Sequence, residues 1–310
     1  MMKCEIRTCH TSDGFALKFR HFKSLPHGLV SGQAKGKSSS PFLLARGSVV
    51  AVHGVQSHSG WYRDSSMAIA RSGWDVYFAD RRGSGLNGRN RGHADHGIRL
   101  LNDLKLLVEL AKQENPDQPV VLLGLSWGGK LASAFAATYP YLVQRLVLLY
   151  PATDSMVGPN WRQKLMLKLA RHHDVRKRLV ALPFADPNCF TNLPNFQDRI
   201  ANDPLALNSV TTGFLNATTD LDRIVQQQSA NITMPTLLML AEADRIVNNR
   251  KVKRRLQSWP VSDLSTIEYS DAEHTLEFCS QRIDFFQDLI HWLNRSLPTD
   301  AVQVCEASDK

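Results

Sequence analysis

Six short apolar runs, at residues 48–52, 74–79, 119–124, 145–150, 235–240 and 264–269, set the pattern of this 310-residue chain. Each is rich in Val, Leu and Tyr and almost unbroken in hydrophobicity. A strand needs that continuity when helices cover both of its faces, as they do in a parallel sheet. Between the runs, residues 62–72, 100–115 and 130–139 carry helical periodicity. This alternation predicts an α/β fold with a doubly wound, mostly parallel sheet. The length suits one large domain of that kind with an inserted subdomain.

Two stretches break the alternation. Residues 24–47 are rich in Gly, Ser, Pro and Lys, which predicts a loop between an N-terminal hairpin and the first parallel strand. Gly32 and Gly36 stand one residue too close for a phosphate-binding GxxxxGK[ST] loop, and no strand precedes them, so that reading is rejected. From about 153 to 232 strand signals vanish. Helical patterns replace them at 161–180, which is basic, and at 198–228, around Leu205, Val210, Phe214, Leu221 and Ile224. An all-helical block between two core strands predicts a cap. The expected organisation is a core of residues 1–152 and 233–310 with a cap at 153–232.

The net charge is +8, with basic clusters at Arg81-Arg82, 89–91, 176–178 and 250–255. They read as solvated surface. No nucleic-acid-binding motif accompanies them, so nucleic acid is not an expected partner. Five cysteines, odd in number and without a CxxC, argue for free thiols and a reducing compartment, hence the cytoplasm. The first ten residues are too polar for a secretory signal, and no apolar run approaches the ~18 residues that span a bilayer.

The strongest local signal is Gly124-Leu125-Ser126-Trp127-Gly128-Gly129. It fits GxSxG, a tight strand-to-helix turn that presents a serine above the sheet. The strand-like run before it and the helical pattern after it supply the required context. A serine hydroxyl becomes a nucleophile when a base takes its proton, and a histidine held by a carboxylate is the usual base. After the cap, the run at 235–240 leads into Glu242-Ala243-Asp244, and the run at 264–269 leads into Asp271-Ala272-Glu273-His274. His274 is the candidate base. Asp244 is the candidate acid because it lies just past a strand's C-terminal end, where such sheets carry their active groups. Glu242, Asp271 and Glu273 compete with it. His53-Gly54-Val55 follows the first parallel run and supplies a candidate oxyanion hole, with the backbone N–H groups of Val55 and Trp127 as donors.

These stretches together resemble the monoacylglycerol lipase and lysophospholipase-like family of α/β-hydrolase-fold serine hydrolases. His53-Gly54-Val55-Gln56-Ser57-His58-Ser59-Gly60-Trp61-Tyr62 is similar to its HGxxEHSxRY stretch. Asp80-Arg81-Arg82-Gly83-Ser84-Gly85 resembles its DxxGHGxS turn, and the elbow resembles GHSMGG. Glu242 to Val247 resembles its G-x-x-D-x-I/V acid loop, and Asp203-Pro204-Leu205 its DP-L signature. Ser57, Trp61, Leu125 and Trp127 depart from the family residues, which bears on acyl-chain preference.

The resemblance implies a triad of Ser126, Asp244 and His274, no cofactor and no metal, and a lipid ester with one acyl chain as substrate. It also implies that His53, Gly54 and Trp61 line the substrate site, with Trp61 and Trp127 narrowing the pocket beside the nucleophile. A small-ester carboxylesterase, a thioesterase, a proline-type aminopeptidase, an acyltransferase and a catalytically silent binding protein are the rival readings. For an aminopeptidase, Asp198, Asp203, Asp220 and Asp222 of the cap are available to hold the substrate amine. His93-Ala94-Asp95-His96 has no organised third ligand, which argues against a metal site. The basic stripe Lys164, Lys168, Arg171, Arg176, Lys177 and Arg178 could rest on an anionic lipid surface or be an ordinary solvated helix face.

Overall fold

Strands β3 (Gly47–Val52), β4 (Trp74–Ala79), β5 (Val120–Leu125), β6 (Arg145–Leu149) and β9 (Thr236–Ala241) are buried along their whole length. Their unbroken apolar sequences have helices or further chain on both faces, which is why no polar alternation survives in them. The half-buried edge strand β10 (Leu264–Tyr269) completes the parallel part. A hairpin of β1 (Cys4–His10) and β2 (Ala16–Phe22) adds antiparallel strands at the other edge. The eight-stranded order is β1-β2-β4-β3-β5-β6-β9-β10. All six predicted runs are strands, each within a residue of its expected bounds.

The computed structural model describes residues 4–25, 45–157, 175–184 and 186–295. Most of the Gly- and Ser-rich loop, the basic cap pattern up to residue 174 with His172 and His173, and Cys305 lie outside the described residues. Helices α1 (Arg63–Arg71), α2 (Gly97–Glu114) and α3 (Trp127–Thr138) follow β3, β4 and β5. Between β6 and β9 come β7 (Leu179–Ala181), α4 (Pro194–Ala201), β8 (Ser209–Thr211) and α5 (Thr212–Gln228). Helices α6 (Asn249–Gln257) and α7 (Arg282–Asn294) close the chain.

Three details differ from expectation. The β6–β9 insertion is not all-helical, because β7 and β8 form a short antiparallel ladder. Strands of three residues are too brief to show a period-two pattern. Helix α3 starts at Trp127, immediately after Ser126, and not at 130. Its first residues, Trp-Gly-Gly, have poor helix propensity and hide the start. The Arg81-Arg82 cluster is buried and is not solvated surface: Arg82 pairs with Asp103 and Asp13. The clusters at 89–91 and 250–255 are mostly exposed, as read from the sequence.

Gly128 shows how tightly α3 enters the sheet. A Cβ there would collide with the Val52 carbonyl oxygen and stand 2.7 Å from that of His53. Alanine is the better helix former by about 1 kcal/mol, so propensity alone would make Gly128→Ala stabilising. The clash is with backbone and cannot be relieved by a rotamer, so we expect a loss of at least about 3 kcal/mol. Urea denaturation of the variant tests this, and a rise in midpoint would refute the close approach.

Candidate active site

Ser126, Asp244 and His274 follow β5, β9 and β10, and Val55 follows β3, so all four meet at the C-terminal edge of the parallel strands. Ser126 has φ +52° and ψ −120°, a conformation costly for a non-glycine residue. The surrounding backbone holds it there. Its N–H donates to the Leu149 carbonyl at 3.0 Å, and its carbonyl accepts from Gly129 and Ala152 at 2.9 Å each. The side chain is thereby turned toward His274, with Ser126 Oγ 2.8 Å from Nε2. On the far side of the ring, Nδ1 lies 2.7 Å from Asp244 Oδ2.

Asp244 is fixed in turn. Its Oδ1 accepts the backbone N–H groups of Ile246 at 2.7 Å and Val247 at 2.9 Å, leaving Oδ2 for the imidazole. The rival acids stand elsewhere: Glu273 accepts from the Asn192 N–H, and Glu242 and Asp271 are exposed. Aromatic rings clamp the imidazole edgewise, Tyr150 at 4.8 Å between centroids and Phe190 of the insertion at 6.0 Å. Tyr150 is fully buried, which pushes its phenol well above the ordinary range and keeps it neutral.

Gly54 lies against the serine: an added Cβ would sit 3.3 Å from Ser126 Cβ and 3.6 Å from Oγ. A side chain there would fill the space a substrate carbonyl needs. His53 accepts the Arg81 N–H at Nε2 over 3.1 Å, so the ring proton is on Nδ1, which donates to the Gly54 carbonyl at 2.7 Å. That carbonyl belongs to the same peptide as the Val55 N–H. Burial, and then the Arg81 charge, push His53 down to about 3, so it stays neutral. Trp127 is the first residue of α3, where helix geometry leaves its N–H without an intrahelical acceptor.

Two of the three residues expected to line the substrate site, His53 and Trp61, have buried side chains engaged within the protein. His53 is wholly buried with both ring nitrogens engaged, so it positions the Gly54–Val55 peptide and does not line a pocket. Trp61 is also buried; its indole N–H donates to Asp203 and its ring packs on Phe190 and Phe278. It fastens the insertion to the core. His58 does the same through a 2.8 Å contact with Asp203, whose carboxyl is held down to about 2 by those bonds against the opposing effect of burial. The indole of Trp127 reaches Thr218 of α5 at 3.0 Å, and Lys130 reaches Asp222 at 2.6 Å. His93 ties the loop before α2 to β8 and Asp95. Among the described residues no group of three or more His, Cys, Asp and Glu is arranged to hold a metal ion.

The profile of the family described as serine aminopeptidase, S33 (Hydrolase_4) matches residues 44–278. A monoacylglycerol lipase of Mycolicibacterium smegmatis is 27% identical over 203 residues, covering 65% of this chain and 71% of the relative. A probable lysophospholipase L2 of Haemophilus influenzae is 21% identical over 296 residues, 88% of this chain and 93% of the relative. The crystal structure of a Paleococcus ferrophilus monoacylglycerol lipase superposes with a TM-score of 0.74 at 22% identity, covering 89% of this chain and 98% of that one. With a match across well over half of its length, the chain belongs to the Hydrolase_4 family of serine hydrolases and has the α/β-hydrolase fold.

Proposed function

We propose that this enzyme hydrolyses carboxylic esters through an acyl-enzyme on Ser126, with a single-chain lipid ester as its substrate. One observation carries the chemistry: the continuous line from Ser126 Oγ through His274 to Asp244, with heavy-atom separations of 2.8 and 2.7 Å. His274 takes the serine proton as Ser126 attacks the ester carbonyl, and Asp244 orients the ring and stabilises its charge. The Val55 and Trp127 N–H groups bind the oxyanion, each contributing about 3 kcal/mol. His274 then protonates the leaving alcohol and activates the water that releases the acid. No step calls for a metal or cofactor.

The names of the relatives support a monoacylglycerol or lysophospholipid substrate. The insertion between β6 and β9 acts as the cap, closing over His274 through Phe190. Free Cys4, Cys9, Cys189 and Cys279 fit a reducing compartment, which we take to be the cytoplasm. Among the described residues no helix is long and apolar enough to cross a membrane. Peripheral contact with lipid through the cap is part of the proposal. An aminopeptidase reading is disfavoured by the cap acids. Asp203 is tied to His58 and Trp61, Asp222 to Lys130 and Asp220 to Arg223, while Asp198 is exposed.

The test is kcat/KM over p-nitrophenyl esters from acetyl to palmitoyl. A maximum at medium or long chains is expected, since each methylene buried in an apolar tunnel contributes about 0.8 kcal/mol. A maximum at acetyl or butyryl would replace the lipid reading with a small-ester one.

A further inference from the structure

Arg81 follows β4 in the same turn as Arg82, yet the two guanidinium groups live differently. Arg82 is paired with two carboxylates, Asp103 and Asp13. Arg81 is only 4% exposed and has no carboxylate in ion-pair range among the described residues. The adjacent Asp80 carboxylate is taken by the N–H groups of Ser59 and Leu86. Nη2 of Arg81 donates to the Val55 carbonyl, whereas Nε and Nη1 are buried with no hydrogen-bond partner. The flat group lies 5.1 Å from the Trp127 ring and 4.7 Å from the Phe214 ring.

Its place is what makes this informative. Val55 and Trp127 are the two candidate oxyanion donors, and Arg81 touches both residues. Phe214 belongs to α5 of the cap, and Asn216, two residues further along, has a second buried donor, Nδ2, without a partner. Buried donors are normally satisfied, and a guanidinium with Nε and Nη1 unpaired is suited to an anionic oxygen. Burial pulls Arg81 down to about 9, which still leaves it a cation at neutral pH.

We propose that Arg81 forms an oxoanion subsite beside the nucleophile, taking a phosphate or carboxylate carried by the ester substrate. This rests on the ester-hydrolase reading above and narrows its substrate class to acyl esters that bear an anionic group. The ring of Phe214 lies over the face of the guanidinium, which leaves the Nε and Nη1 edge for the anion. A cationic substrate amine is disfavoured by the same charge.

The experiment compares kcat/KM for 1-octanoylglycerol 3-phosphate and 1-octanoylglycerol, in wild type and in Arg81→Met and Arg81→Lys. The wild-type preference for the phosphate ester is expected to fall by about tenfold or more in Arg81→Met, the usual weight of a hydrogen-bonded charge pair. Arg81→Lys, which keeps the charge and loses the planar donors, should fall between them. Because each ratio is taken within one protein, a general loss of activity cancels. An unchanged ratio in both variants overturns the subsite. In parallel, inorganic phosphate should inhibit p-nitrophenyl butyrate hydrolysis competitively, with an inhibition constant about tenfold weaker in Arg81→Met. If neither lipid is turned over, the lipid reading fails by itself and the phosphate measurement still decides the subsite. Equal inhibition of wild type and variant counts against it.

Discussion

Ser126→Ala is expected to lower kcat about a millionfold while leaving the fold in place. The hydroxyl is the attacking atom, and its polar contact within the protein is the 2.8 Å bond to His274 Nε2. Removing it abolishes the covalent route and leaves only what the oxyanion donors and substrate binding supply. The strained φ of +52° belongs to the backbone, imposed by the bonds to Leu149, Gly129 and Ala152, so alanine inherits the same turn. The melting temperature should therefore change little. Turnover of p-nitrophenyl butyrate, labelling by a fluorophosphonate probe and a thermal melt are the measurements. Labelling should vanish with turnover, and residual activity within a hundredfold of wild type would falsify the assignment of Ser126 as nucleophile.

The parts of the molecule legible in the sequence share one cause: a strong one-dimensional signal for a local environment. The parallel strands, covered on both faces, could be read as unbroken apolar runs, and the turns at their ends then carried Ser126, Asp244 and His274 in readable motifs. The order along the chain allowed three distant residues to be placed on one edge of one sheet. Other features arise only from contacts across the fold. Arg81 and Arg82 look alike in the sequence, and nothing there separates the one that finds Asp103 and Asp13 from the one enclosed by Trp127 and Phe214. Trp61 belongs to the stretch that the family resemblance puts at the substrate site, but Asp203, 142 residues away, captures its indole N–H. His53 belongs to the same stretch. Its side chain turns into the protein to hold the peptide that carries the Val55 N–H. The signal that could have flagged Asp203 was its DP-L context in the insertion, read as a signature without a partner.

The same geometry makes Asp244→Asn a sharper probe than removal of the side chain. We expect a fall in kcat of about ten-thousandfold with little loss of stability. The cause is hydrogen-bond polarity. Oδ1 accepts two backbone N–H groups, from Ile246 and Val247, so in the asparagine variant only the amide oxygen can occupy that position. The amide NH2 is then forced to where Oδ2 stood, 2.7 Å from His274 Nδ1. An NH2 group there requires Nδ1 to accept, which moves the ring proton to Nε2. That nitrogen would face Ser126 Oγ as a donor and could no longer take its proton. The base is present and correctly placed, but in the wrong tautomer. Asp244→Ala differs, because it also strips the 245–247 turn of the acceptor that holds it, and should lower the melting temperature as well as the rate. Steady-state kinetics of both variants, beside Glu242→Gln and Glu273→Gln, decide the matter. If Asp244→Asn keeps more than about a tenth of wild-type kcat while one of the glutamate variants falls a thousandfold or more, the acid is that glutamate, because loss of an essential triad carboxylate should cost far more than tenfold.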